Sequence, residues 1–143
     1  MEKDNYTLGF IFHPSLERVL LIKKFKKPKH HIGKWNGVGG KIDDESPMAC
    51  MLRETQEECG IPLDEVSFEY FALLNGSRYT VKCYRGKSLL VNRGYEHETP
   101  EGLVRSFNVD SLYGLPIVCN VNWLVQMALD HDVERKCVAI DYA

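Results

Sequence analysis

Apolar and polar positions along this chain fall into short blocks with two different periods. Thr7–His13 (TLGFIFH) and Arg18–Lys23 (RVLLIK) are short apolar runs rich in β-formers, separated by a Pro14-Ser15 turn, and predict a first hairpin. Val66–Asn75 and Tyr79–Arg85 alternate as strands do, with Asn75-Gly76-Ser77 as the turn between them. Leu103–Val109 predicts a further strand, and Cys137–Tyr142 a terminal one. Between them, residues 86–101 are polar and glycine-bearing and read as a mobile loop, and Asp110–Pro116 reads as a connector. A final helix is predicted from a cap at Asn120 to about Asp130, with Trp123, Leu124, Met127 and Ala128 on its buried side.

The strongest helical signal lies in the middle. Pro47 suits a first helical turn with Glu45 or Ser46 as cap, Gly60 suits the left-handed position that closes a helix, and Pro62 stops it resuming. Ala49, Leu52 and Thr55 or Gln56 trace one stripe, with Met48, Met51 and Cys59 widening it. Glu54, Glu57 and Glu58 then share a face. That is uphill: like charges at i,i+4 cost about 0.2–0.5 kcal/mol when exposed. Carboxylates in a last turn also oppose the helix dipole, by about 0.3–1 kcal/mol each. A surface helix would gain from lysines there, so the pattern calls for a positive partner, and a divalent cation is the economical one.

Composition bounds the rest. The 143 residues, 44% hydrophobic and 27% charged, suit a single soluble domain over 1–143. A net charge of −2 gives no global basic field, so no stable nucleic-acid binding is expected. No apolar run reaches membrane-span length and Met1-Glu2-Lys3-Asp4 opens no signal peptide, so a cytoplasmic protein without membrane partners is expected. Five cysteines without a CxxC pair read as reduced thiols rather than a zinc site. The lysine- and histidine-rich run KKFKKPKHHIGK is either a solvated loop or a cationic lip that draws in a polyphosphate.

From Gly39 the chain reads Gly, five residues, Glu45, seven residues, then Arg53-Glu54-Thr55-Gln56-Glu57-Glu58-Cys59-Gly60-Ile61. This resembles the Nudix box, G-x5-E-x7-R-E-U-x-E-E-x-G-U, over 39–61, with Thr55 in place of the usual aliphatic residue. The resemblance implies an α/β fold, the Nudix α/β/α sandwich with a mixed sheet. It also implies a Mg²⁺- or Mn²⁺-dependent hydrolase that splits a nucleoside triphosphate, or another nucleoside diphosphate linked to a group X. Glu54, Glu57 and Glu58 are the implied metal ligands, with Glu54 as ligand or base, and Arg53 tethers Glu45 or Glu54. Glu101, with Glu96 and Glu98 as rivals, stands where relatives carry a further metal-binding or base glutamate.

The segment WNGVGGK is similar to that of MutT-type enzymes that clear oxidised nucleotides such as 8-oxo-dGTP. By that likeness Lys41 lies beside the phosphates, Asn36 contacts the base, and Trp35, Gly39 and Gly40 complete the substrate side; apart from it, Trp35 reads equally as a core residue and Asn36 as a turn former. Arg78 or Arg85 would assist at the phosphates. The partner is then a small nucleotide, and a homodimer is admitted. Two departures stand out: the loop Gly39–Glu45 is one residue shorter than in many relatives, and Pro116 is followed by Ile117 and Val118 rather than by the acids that read an oxidised purine. Hydrolysis of RNA 5′ ends, and a non-catalytic nucleotide-binding module on the same fold, are the competing readings.

Overall fold

The computed structural model describes residues 2–26, 28–130 and 138–142. Strands β1 (Asp4–Phe12) and β2 (Arg18–Lys24) run antiparallel but share only the Phe12–Val19 register pair before they diverge. β1 continues in parallel with β5 (Tyr79–Lys87), which pairs with β4 (Ser67–Asn75), and β4 in turn with β8 (Val138–Asp141). β2 instead takes β7 (Gly102–Asn108), with β6 (Glu96–Thr99) at the edge, and the two-residue β3 (Trp35–Asn36) pairs with its Ile22-Lys23 end. Among the described residues the sheet therefore runs β6-β7-β2-β1-β5-β4-β8, with β3 branching from β2. It is mixed, as expected.

Continuous apolar runs in β1 and β2 are explained by burial on both faces. Leu8, Phe10, Phe12, Val19 and Leu21 point to one side, into a core completed by Leu124 and Val125 of helix α2 (Val121–Ala128). Ile11, Leu20 and Ile22 point to the other, against Met51 and Cys59 of helix α1 (Pro47–Cys59). The result is a three-layer α/β/α sandwich whose two cores are separated by strand parity.

Helix α1 starts as its sequence dictates: the Ser46 hydroxyl accepts from the Ala49 N–H at 3.1 Å, Pro47 follows, and Gly60 ends it at φ 70°. Its buried face matches the expected stripe at Met51, Thr55 and Cys59 and departs from it elsewhere. Cys50, Met51, Thr55, Glu58 and Cys59 are buried, while Ala49, Met48 and Gln56 are exposed. The stripe is rotated because Cys59 and Ile61 enter the core at the C-terminal end, and they carry Glu58 in with them. Likewise α2 buries Val121, Leu124, Val125 and Ala128 and leaves Trp123 exposed. Asn120 stands before α2 without a side-chain capping bond; its Nδ2 donates to the Tyr142 hydroxyl at 3.4 Å.

One further expectation is corrected. The segment 86–101 is not one loose loop: β5 extends to Lys87, Val91 is fully buried, and Glu96–Thr99 is an edge strand. Its alternating polar residues reflect an edge with one wet face. The expected terminal strand is present over Val138–Asp141, and Cys137 lies outside the described residues.

Candidate active site

The loop 38–41 is laid across β1 by backbone bonds. Gly9 and Val38 exchange N–H···O bonds of 2.6 and 2.9 Å, and the Thr7 N–H donates to the Gly40 carbonyl at 2.9 Å. Gly39 is required by its backbone, and Gly40 lies close against a side chain of α1. At Gly39, φ is 151° and a Cβ would collide with the Thr7 carbonyl; at Gly40 it would come 2.5 Å from Glu54 Oε1. This close approach fastens the loop between β1 and α1, and the Gly39 N–H donates to Glu58 Oε1 at 2.8 Å.

The boxed acids divide into two groups. Arg53 holds three of them: its Nη2 and Nε lie 2.8 and 3.0 Å from Glu45 Oε1, and its Nη1 lies 3.1 Å from Glu54 Oε1 and 3.2 Å from Glu57 Oε2. The side chain is thus an internal clamp: where a tether to Glu45 or Glu54 is expected, it holds both and reaches Glu57 as well. Glu45 is held below the usual carboxylate range, chiefly by its hydrogen bond to Arg53. Glu54, mostly buried, is pushed upward by desolvation against the pull of Arg53. Glu57 remains largely exposed.

Glu58 is different. Its side chain is 2% exposed, and burial raises its carboxyl to about 7, outweighing the opposing charge of Lys24. Oε1 is satisfied by Gly39, but Oε2 is buried without a hydrogen bond; Lys24 Nζ stands 3.5 Å away, near enough for charge attraction and too far for a good bond. Lys24 is the residue that sequence reading left inside the basic run. Strand parity could have found it: Leu20 and Ile22 face α1, so Lys24 faces α1 too.

Other expected residues disperse. Lys41 is exposed, paired with Asp4 at 3.3 Å, and lines an open cleft with Asp43, Glu45, Arg53 and Glu54. Trp35, expected at the substrate, is a core residue at 5% exposure, stacked edge-on against Phe107 with Lys23 over its ring. Asn36 accepts from the N–H of Gly37 at 2.8 Å.

Glu101 lies exposed in the turn between β6 and β7, its carbonyl accepting from the Phe25 N–H at 3.0 Å. It adjoins the Lys24 end of β2, and among the described contacts none joins its carboxylate to the boxed acids. Glu96 pairs with Arg105 at 3.1 Å. Arg85 is bound to the carbonyls of Ala128 and Asp130 at the end of α2 and to Glu69, away from the acids. Among the described residues no three His, Cys, Asp or Glu side chains converge as a ready-made metal cage.

One contact was invisible in the sequence. The Tyr95 hydroxyl donates to the Cys59 carbonyl at 2.5 Å, fixing the last turn of α1 beside Glu58.

Comparison with known proteins gives one consistent frame. The NUDIX domain model matches residues 6–89. A GDP-mannose pyrophosphatase of Yersinia pestis (strain Pestoides F) is 27% identical over 88 residues, 58% of this chain and 44% of that protein, so this chain spans less than half of that relative's length. An ADP-ribose pyrophosphatase from Streptococcus suis superposes with a TM-score of 0.67 at 21% identity, covering 97% of this chain and 98% of that one. The MutT protein of Bacillus halodurans superposes with a TM-score of 0.64 at 19% identity, covering 98% and 90%. At such identities these structures establish the fold alone.

Proposed function

The chain belongs to the Nudix family, and on that premise we propose that it is a divalent-cation-dependent pyrophosphohydrolase. Its substrate class is a nucleoside diphosphate linked to a further group, phosphate in a (d)NTP or 8-oxo-dGTP, a sugar in a nucleotide sugar. The observation that carries the reading is Glu58, a buried carboxylate with one oxygen lacking a hydrogen bond, on the helix that also carries Glu54 and Glu57. An anion kept in that state, at a helix C-terminus that disfavours anions, is poised for a cation.

The donor set fits the hard cations of this chemistry. Mg²⁺ and Mn²⁺ take carboxylate oxygens and keep waters, and Glu54, Glu57 and Glu58 are the residues that would hold one. When bound, such a cation neutralises phosphate oxygens and makes a water more acidic. The chain's own groups do the rest. Arg53 keeps Glu54 and Glu57 in register, since its fork is occupied by carboxylates and is not free for substrate. Glu54, its carboxyl raised by burial, serves either as a ligand or, where Glu57 and Glu58 hold the cation, as the base that takes the proton of the attacking water. As water adds to one phosphorus, the bridging P–O bond breaks and the departing phosphate keeps the electron pair. Lys41 at the rim of the open cleft attracts the phosphates.

The substrate panel tests this directly: (d)NTPs, 8-oxo-dGTP, ADP-ribose and GDP-mannose, each with Mg²⁺ and each against Glu57→Gln. Metal-dependent release of a nucleoside monophosphate, lost in the variant, is expected from at least one member. No release from any of them, or full activity in Glu57→Gln, overturns the reading and leaves a nucleotide-binding module.

A further inference from the structure

Helix α1 presents Glu58 to an interior from which water is excluded, yet one oxygen of that carboxylate is met by no hydrogen-bond donor. What meets it is charge. Lys24 Nζ lies 3.5 Å from Glu58 Oε2 and 3.5 Å from the Gly39 carbonyl, so the ammonium sits between an anionic oxygen and a neutral one. Two such oxygens, one from the glycine loop and one from the helix, are donors of the kind a hard cation takes. Both distances are long for a hydrogen bond, so the ammonium is held by attraction and not by directional bonds.

We propose that Lys24 is the resident cation of this site: its ammonium neutralises Glu58 in the metal-free protein and gives way when a divalent cation binds that carboxylate. The inference rests on the function proposed above and adds to it a competitor built into the chain. Three features support the exchange. The lysine is on the end of β2, pinned at its backbone by pairing with Gly102, so its stem pivots from a fixed point. Its side chain is 31% exposed, against 2% for Glu58, so a route to solvent lies open to the ammonium and not to the carboxylate. Arg53 cannot stand in for it, because its fork already holds Glu45, Glu54 and Glu57. The metal must therefore displace a like charge, and the affinity measured is net of that displacement.

The test is a Mn²⁺ titration of the full chain at pH 8, followed by loss of the free-ion electron paramagnetic resonance signal, in wild type, Lys24→Met and Lys24→Arg. Removing the competing charge is expected to tighten binding by roughly three- to tenfold in Lys24→Met. Lys24→Arg, which keeps the charge, is expected to bind within about twofold of wild type. Circular dichroism melts establish that each variant is folded. Unchanged or weaker binding in folded Lys24→Met overturns the inference and leaves the proposed function intact. No Mn²⁺ bound by any of the three overturns the proposed function, and the inference with it.

Discussion

Replacing Glu58 by Gln isolates the energetic cost of the buried carboxylate. The Gln carbonyl can still accept from the Gly39 N–H, while the charge is gone. In the native fold burial raises the Glu58 carboxyl from its ordinary 4.5 to about 7. An acid whose pKa is raised by folding binds its proton more tightly in the folded state. The Glu58 contribution to stability is therefore greatest at low pH, falls as pH rises from about 4.5 through 7, and is flat above. A difference of about 2.5 pKa units corresponds to about 3 kcal/mol when the group is fully ionised. Between pH 5 and pH 8 the change is on the order of 2–3 kcal/mol, most of it complete by pH 7.

His31 acts in the opposite sense over part of this window. Burial lowers its pKa below 6.5, with the charge of His30 a smaller cause, so it withdraws stability as pH falls through its unfolded value. Taking the difference between wild type and Glu58→Gln removes that contribution, because both proteins carry His31. The assay is urea unfolding in EDTA at half-unit steps from pH 5 to pH 8, read by tryptophan fluorescence, Trp35 being buried. The variant is expected to be more stable than wild type at pH 8 and nearly equal to it at pH 5. Two stability curves that run parallel across the window would refute the assignment of a strained, ionised Glu58.

The remaining predictions probe the parts around it. Saturating Mg²⁺, at about 100 times its dissociation constant, should stabilise wild type by about 2.7 kcal/mol, and Glu57→Gln should shrink that gain; a melting temperature indifferent to Mg²⁺ would count against the metal site. Arg53→Lys keeps the charge but loses the fork across Glu45, Glu54 and Glu57, so kcat should fall by about 100-fold with the fold retained, as steady-state kinetics and circular dichroism would reveal. Asp44 adopts φ 50° in the shortened loop, so Asp44→Gly should raise stability by about 1 kcal/mol, measured by urea unfolding; a loss of stability would mean the side chain supports the turn. Thr55 is fully buried with its hydroxyl donating to the Met51 carbonyl at 2.7 Å. Thr55→Val should then gain roughly 0.5–1 kcal/mol without changing kcat, and a destabilised variant would show the hydroxyl to be needed.

The fold was legible where burial on one or both faces writes a period into the chain. β1, β2, β4, β5 and β7 were found within a few residues, because apolar side chains there had to alternate or run continuously. The edge strand Glu96–Thr99 was missed for the converse reason. One face of β6 is wet and its ladder partner is supplied from a distance, so its residues look like a loop. The α1 stripe was partly misplaced by tertiary context. Local periodicity prefers Ala49, Leu52 and Thr55 or Gln56, widened by Met48, Met51 and Cys59; with Ile61 and Cys59 anchored in the core, Met51, Thr55 and Cys59 are buried as that pattern allows, and Cys50 and Glu58 go in with them in place of Ala49 and Met48.

That rotation also explains what the sequence withheld about the site. Spacing alone made Glu54, Glu57 and Glu58 equivalent members of one acidic face. In the folded chain they differ by environment: Glu57 is in solvent, Glu54 is half withdrawn and bound to Arg53, and Glu58 is enclosed. Burial ranks three identical side chains, and burial is decided by residues that carry no chemistry themselves, Cys59, Ile61 and the Gly39-Gly40 pair. The positive partner demanded by the acidic helix was present in the chain all along. Lys24 continues the Leu20, Ile22 face of β2, so the alternation that defines the strand also aims its last cation at the helix. Composition hides it, because a lysine- and histidine-rich run has the look of a solvated loop or a cationic lip, while the strand continues one residue past Lys23 to Lys24. A lysine at the end of an apolar strand belongs to the face its parity assigns, and here that face is the acidic helix.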